Sequence, residues 1–147
     1  MKKLILLFLL ASGFSVNAQQ SQLSKNNEKA GDSAGSPCLA VTTYKMAYEQ
    51  YKSDKLLVKY ANAAYLCGDY SKVIAVVDSN SKNADALRLR GLSVFKKALK
   101  YNAASEMACK NALFEAENYL NRSAKLGYKV DNDLIEIKNL YKEQFVN

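Results

Sequence analysis

From Ser36 to Asn147 apolar residues recur three and four positions apart, and no long alternating β-branched run interrupts them. That spacing is one face of a 3.6-residue helix, so the segment is predicted all-α. Breakers are scarce, with six Gly and one Pro in the whole chain, and the Pro sits where a helix tolerates it. Ser36 as N-cap and Pro37 at the first helical position open a helix to about Lys52, with Leu39, Tyr44, Tyr48 and Tyr51 partly aligned. Ser53 caps a second, Asp54 to Cys67, whose inner stripe is Leu57, Tyr60, Ala61, Ala64 and Tyr65 and whose stop is Gly68. Asp69 begins a short third helix with Val73, Ile74, Val76 and Val77, and 78–83 is a turn by composition. A fourth, Ala84 to about Lys100, points Leu87, Gly91, Val94, Phe95 and Ala98 inward, and Tyr101 to Ser105 form the next turn. The fifth carries Cys109, Leu113, Ala116, Leu120 and Ala124 and stops at Gly127; Asp131 or Asp133 caps a sixth with Leu134, Ile137, Leu140, Tyr141 and Phe145. Six helices joined by short turns should stack as antiparallel hairpins, and residues 37–147 are enough for such a core.

The residues ahead of this domain read differently. Lys2 and Lys3 precede the apolar run Leu4 to Ala11, and Val16-Asn17-Ala18 supplies small residues at a cleavage site after Ala18. Residues 1–18 are thus expected to be a secretory signal peptide, because eight contiguous apolar residues fall far short of the roughly 20 that span hydrocarbon. No transmembrane span is expected once it is removed, and the product should be periplasmic or secreted, in a bacterial setting. Residues 19–36 contain Leu23 as their only large apolar side chain. Such a segment cannot bury enough surface to offset its ordering entropy, so it is expected to be a flexible leader.

The chain has no His, which removes imidazole bases, Ser-His and Cys-His nucleophile pairs and His-containing zinc sites. Gly-rich phosphate loops, EF-hand loops and GxSxG are missing too. The acid pairs Glu115 with Glu117 and Asp131 with Asp133 are better explained by solvated faces and helix capping than by chemistry. No catalytic residue, metal or cofactor is expected, and the chain does not read as an enzyme. Of the 21 Lys and Arg, two precede Ala18, leaving 19 against 14 acidic groups. These cations are spread along the chain rather than gathered on a tail, which with export argues against a nucleic-acid partner.

The pattern Leu57-x-x-Tyr60-Ala61-x-x-Ala64-x-x-x-Gly68-Asp69-Tyr70-x-x-Val73-x-x-x-Val77 resembles a tetratricopeptide repeat. Leu87, Gly91 and Val94 resemble the start of a next repeat, and Ala116 with Leu120 its second helix. The resemblance covers residues 37–147 as at most two and a half repeats and implies a right-handed stack of about six helices. An unrelated bundle obeying the same packing rules is the alternative. In such repeats first helices form a concave face for extended peptides, which would put Lys55, Lys59, Asn62, Arg88 and Lys96 near a protein partner. Six of the ten Tyr lie between Tyr44 and Tyr70 among Lys45, Lys52, Lys55 and Lys59. Tyr48 joins that candidate partner-binding set as an aromatic anchor. Equally, these Tyr could be core residues and the Lys their solvated flank.

Cys38, Cys67 and Cys109 remain after processing. In an up-down stack the start of the first helix and the end of the second lie at one end, so Cys38–Cys67 is the first expected disulfide and Cys67–Cys109 the second, with Cys109 otherwise a buried stripe residue. The expected function is an adaptor or scaffold that binds another envelope or secreted protein. The rival is a cell-envelope binder in which Tyr and Lys engage anionic glycan, peptidoglycan or lipid head groups.

Overall fold

A computed structural model describes residues 19–146; the expected signal segment 1–18 lies outside them. The fold is all-α, and among the described residues seven helices follow one another: α1 over 19–32, α2 Pro37–Gln50, α3 Asp54–Leu66, α4 Tyr70–Val76, α5 Ala84–Tyr101, α6 Glu106–Lys125 and α7 Asp131–Phe145. Within the described residues no helix is long and apolar enough to cross a membrane.

Local chemistry sets the boundaries. Ser36, Ser53, Asp69, Asn83 and Ser105 each accept a hydrogen bond from the backbone N–H three residues on, satisfying a donor that the first helical turn leaves orphaned. Gly68 and Gly127 take φ of 79° and 98°, the left-handed turn that ends α3 and α6 and that a side chain would strain. The expected caps of α7, Asp131 or Asp133, both fall inside its first turn: the N-cap is Val130, whose side chain has no acceptor to offer, and Asp133 is turned inward to Arg88.

Each helix from α2 onward packs on its successor, and α3 also touches α5, as α5 touches α7. One core cluster joins α2, α3, α4 and the first half of α5 through Val41, Leu57, Tyr60, Ala64, Val73, Val77 and Leu89. A second joins α5, α6 and α7 through Leu92, Phe95, Ala116, Leu120 and Ile137, and Tyr65 packs against both. The α5–α6 crossing is close at Gly91, where a Cβ would lie 2.9 Å from Tyr119 Cβ and 3.0 Å from the Ala116 carbonyl oxygen. Arg90 donates from one nitrogen to the Ile74 and Val77 carbonyls, closing the end of the seven-residue α4.

Two sequence expectations need correction. The partly aligned set Leu39, Tyr44, Tyr48 and Tyr51 is not one buried face: Leu39 and Tyr51, the latter just past the end of α2, are exposed, and α2 packs through Ala40, Val41 and Ala47, since small residues let the backbones approach. The segment 19–36 is not an unstructured leader over its whole length. Residues 19–32 form α1, which lies on α2 and α3 with Ser24 and Gly31 as its buried positions. Ser24 donates to the Ala47 carbonyl at 2.9 Å and Asn27 to Gln50 at 2.9 Å. Polar bonds and ion pairs hold this helix, which is why a rule based on apolar burial misses it.

Candidate functional site

Lys55 and Lys59 stand one turn apart on α3 and so share a face. Glu28 and Asp32 have the same spacing on α1, and the two pairs meet. Glu28 Oε1 lies 2.7 Å from Lys55 Nζ and 2.8 Å from Lys59 Nζ, while Asp32 Oδ1 accepts from Lys59 and, at 2.7 Å, from the Tyr44 hydroxyl. The two lysines hold the Glu28 carboxyl below its ordinary pKa, and Lys59 with Tyr44 does the same for Asp32. Lys59 loses hydration here, yet the two carboxylates more than offset that and raise its pKa. Burial, reinforced by Asp32, pushes the Tyr44 phenol up.

A second set of charges joins α5 to α7. Arg88 grips Asp133 with two hydrogen bonds of 2.7 Å each, and its guanidinium sits 5.2 Å from the Tyr128 ring centroid. Lys96 lies 2.7 Å from Glu136 and 5.4 Å from the Tyr65 centroid. Burial opposes the charge on Lys96, but Glu136 and the Tyr65 hydroxyl outweigh it and raise its pKa. The helices α1, α3, α5 and α7 are thus laced in order by carboxylate–cation and cation–Tyr contacts.

Of the six residues proposed from sequence, then, Lys55 and Lys59 are brought together under α1, and Arg88 and Lys96 under α7. Tyr48 is half-buried, 6.4 Å from Tyr60 with Lys52 Nζ 5.0 Å above its ring. Asn62 is exposed and lines a cavity of about 280 Å³ together with Gly31, Ala34, Gly35, Tyr44 and Leu66. Sequence reasoning missed Glu28, Asp32, Asp133 and Glu136. A signal existed for the first two: acids four apart in a segment ahead of lysines four apart.

A further opening of about 370 Å³ lies among Tyr70, Lys96, Leu99, Lys100 and Leu140. Lys100 donates to the Gly68 carbonyl at 3.4 Å and lies 6.0 Å from the Tyr70 centroid and 5.3 Å from that of Tyr101. Lys–Tyr pairing therefore recurs at Tyr44, Tyr48, Tyr65 and Tyr70, the stretch that the sequence marks as aromatic and basic.

Cys38 and Cys67 are at disulfide distance, with Sγ atoms 2.05 Å apart, tying the start of α2 to the end of α3. Cys109 is free and buried; burial raises its pKa, and its thiol donates to the Asn102 carbonyl at 3.4 Å. Among the described residues no three His, Cys, Asp or Glu side chains converge to hold a metal ion. No protein-family model, curated protein or solved structure matches the chain.

Proposed function

We propose that the chain is an exported, non-catalytic protein-interaction module, a stack of helical hairpins similar to tetratricopeptide repeats, which binds another envelope or secreted protein through the cations and tyrosines of α3 and α5. The carrying observation is that these cations already hold helix-borne carboxylates in fixed geometry. Lys55 and Lys59 hold those of α1, and Arg88 and Lys96 those of α7. A surface that orders carboxylates on its own helices has the chemistry to order them on a partner. The contacts of each helix with its successor, and of α3 with α5 and α5 with α7, support a repeat-like stack. The Cys38–Cys67 pair supports an oxidising compartment, and the basic-apolar pattern of 1–18 supports export.

The test is a crosslinking pull-down with the exported chain in its native envelope extract, at low and physiological salt. Capture of one protein that survives the higher salt and is lost in K55E/K59E supports this function. Capture only of glycan or lipid, lost as salt rises, refutes it in favour of a polymer binder driven by dispersed lysines.

A further inference from the structure

Helix α1 is attached in an unusual way for a part of a core. Its single large apolar side chain, Leu23, is 45% exposed, and its buried positions are Ser24 and Gly31. What holds it are the Glu28 and Asp32 contacts with Lys55, Lys59 and Tyr44, and the bonds from Ser24 and Asn27. Segments with few apolar contacts open most readily. The link to α2, Ser33-Ala34-Gly35-Ser36, is of small residues, and Gly35 has no atom within 4 Å of its added Cβ.

The surface beneath α1 does not need it. Helices α2 and α3 share the first core cluster and are joined by Cys38–Cys67, so the backbone that carries Tyr44, Lys55, Lys59 and Asn62 is braced by contacts that do not involve α1. Nor does α1 fill this surface. At its C-terminal end the cavity of about 280 Å³ opens between Gly31, Ala34, Ala40, Tyr44, Asn62 and Leu66.

We propose that this α2–α3 face is a docking site for an acidic helix of a partner protein, and that α1 is its displaceable intramolecular occupant. The inference rests on the protein-binding reading above and names the partner's chemistry. The partner helix carries carboxylates four residues apart, in the roles of Glu28 and Asp32. It has a small residue just before the second, because a Cβ at Gly31 would come within 2.5 Å of the Tyr44 ring. It adds an apolar side chain about two residues after the second carboxylate, where α1 has Ala34 and the cavity begins. A tethered occupant competes at an effective concentration of about millimolar, so a partner gains its advantage by filling that space.

The probe is a fluorescent peptide of residues 19–36, with an A34L version and one with both acids changed to Lys. It is titrated into the full exported chain, wild type and E28K/D32K. The opened E28K/D32K chain should bind the parent peptide at least tenfold more tightly than wild type does. The A34L peptide should bind about tenfold more tightly than its parent, and the Lys peptide not at all. An opened chain that keeps its thermal transition but binds no peptide overturns the proposal, as does an A34L peptide no tighter than its parent. Should E28K/D32K fail to fold, hydrogen exchange of the wild type decides: α1 amides exchanging at least a hundredfold faster than those of α3 uphold displacement, and equal protection overturns it. A negative result here makes α1 a fixed helix and leaves the pull-down outcome for α3 and α5 standing separately.

Discussion

Arg88, one of the cations proposed to bind a partner, already grips Asp133 on its own chain, and a double-mutant cycle measures how firmly. The two bonds are 2.7 Å each, and the Asp133 side chain is 8% exposed against 26% for Arg88. Removing one partner of a buried pair costs about 3 to 5 kcal/mol, because the other charge stays desolvated. Arg88→Met leaves the more buried carboxylate alone and should cost about 3 kcal/mol, at the low end of that range. Asp133→Leu leaves a guanidinium that a quarter of its surface can rehydrate, so about 2 kcal/mol is expected. The double variant removes both charges and fills the space with apolar groups, and such replacements of whole pairs are often near neutral. Urea unfolding followed by helical circular dichroism should then show the double variant losing about 1 kcal/mol or less, with the pair coupled by several kcal/mol rather than additive. Single losses that add to within about 0.5 kcal/mol would refute the clasp. Single losses near zero would likewise refute it.

At Gly91, Ala gains about 1 kcal/mol of helix propensity but drives a Cβ to 3.0 Å from the Ala116 carbonyl oxygen, and backbone cannot swing aside. Overpacking of about 1 to 3 kcal/mol should win, so Gly91→Ala lowers Tm; a raised Tm would mean that α5 and α6 cross less tightly. Cys38→Ala/Cys67→Ala opens a loop of 29 residues and should cost about 3 to 4 kcal/mol in urea unfolding, with a loss under about 1 kcal/mol contradicting the pairing. Glu28 and Asp32 have pKa values depressed by their lysines, so their stabilisation of α1 is present above the unfolded carboxylate values near pH 4 and is lost as pH falls through the folded ones. NMR signals of α1 should therefore move to random-coil positions below about pH 4 while the α5–α6 core persists; joint loss of both would show α1 to be part of the core.

The helices from α2 to α7 were legible because their ends carry local chemistry: Ser36, Ser53, Asp69, Gly68 and Gly127 act within one turn of themselves. Stripes such as Leu57, Tyr60, Ala61 and Ala64 were legible from period alone. Helix α1 was not, since it is held by Glu28 and Asp32 meeting lysines 27 positions and more away, a contact that no local window contains. The role of Asp133 is hidden in the same way, since its partner Arg88 is 45 residues distant. The basic, aromatic character of α3 and α5 was visible in the sequence, but which of its cations are already engaged depends on how α1 and α7 are laid across them.

The most direct measurement of the central claim is quantitative crosslinking capture from the native envelope extract by three chains in parallel, wild type, E28K/D32K and K55E/K59E, all at physiological salt. One protein should be captured by the wild type, captured several-fold more by E28K/D32K because its lysines are uncovered, and missing from K55E/K59E. Equal capture by all three chains, each keeping its thermal transition, would contradict it.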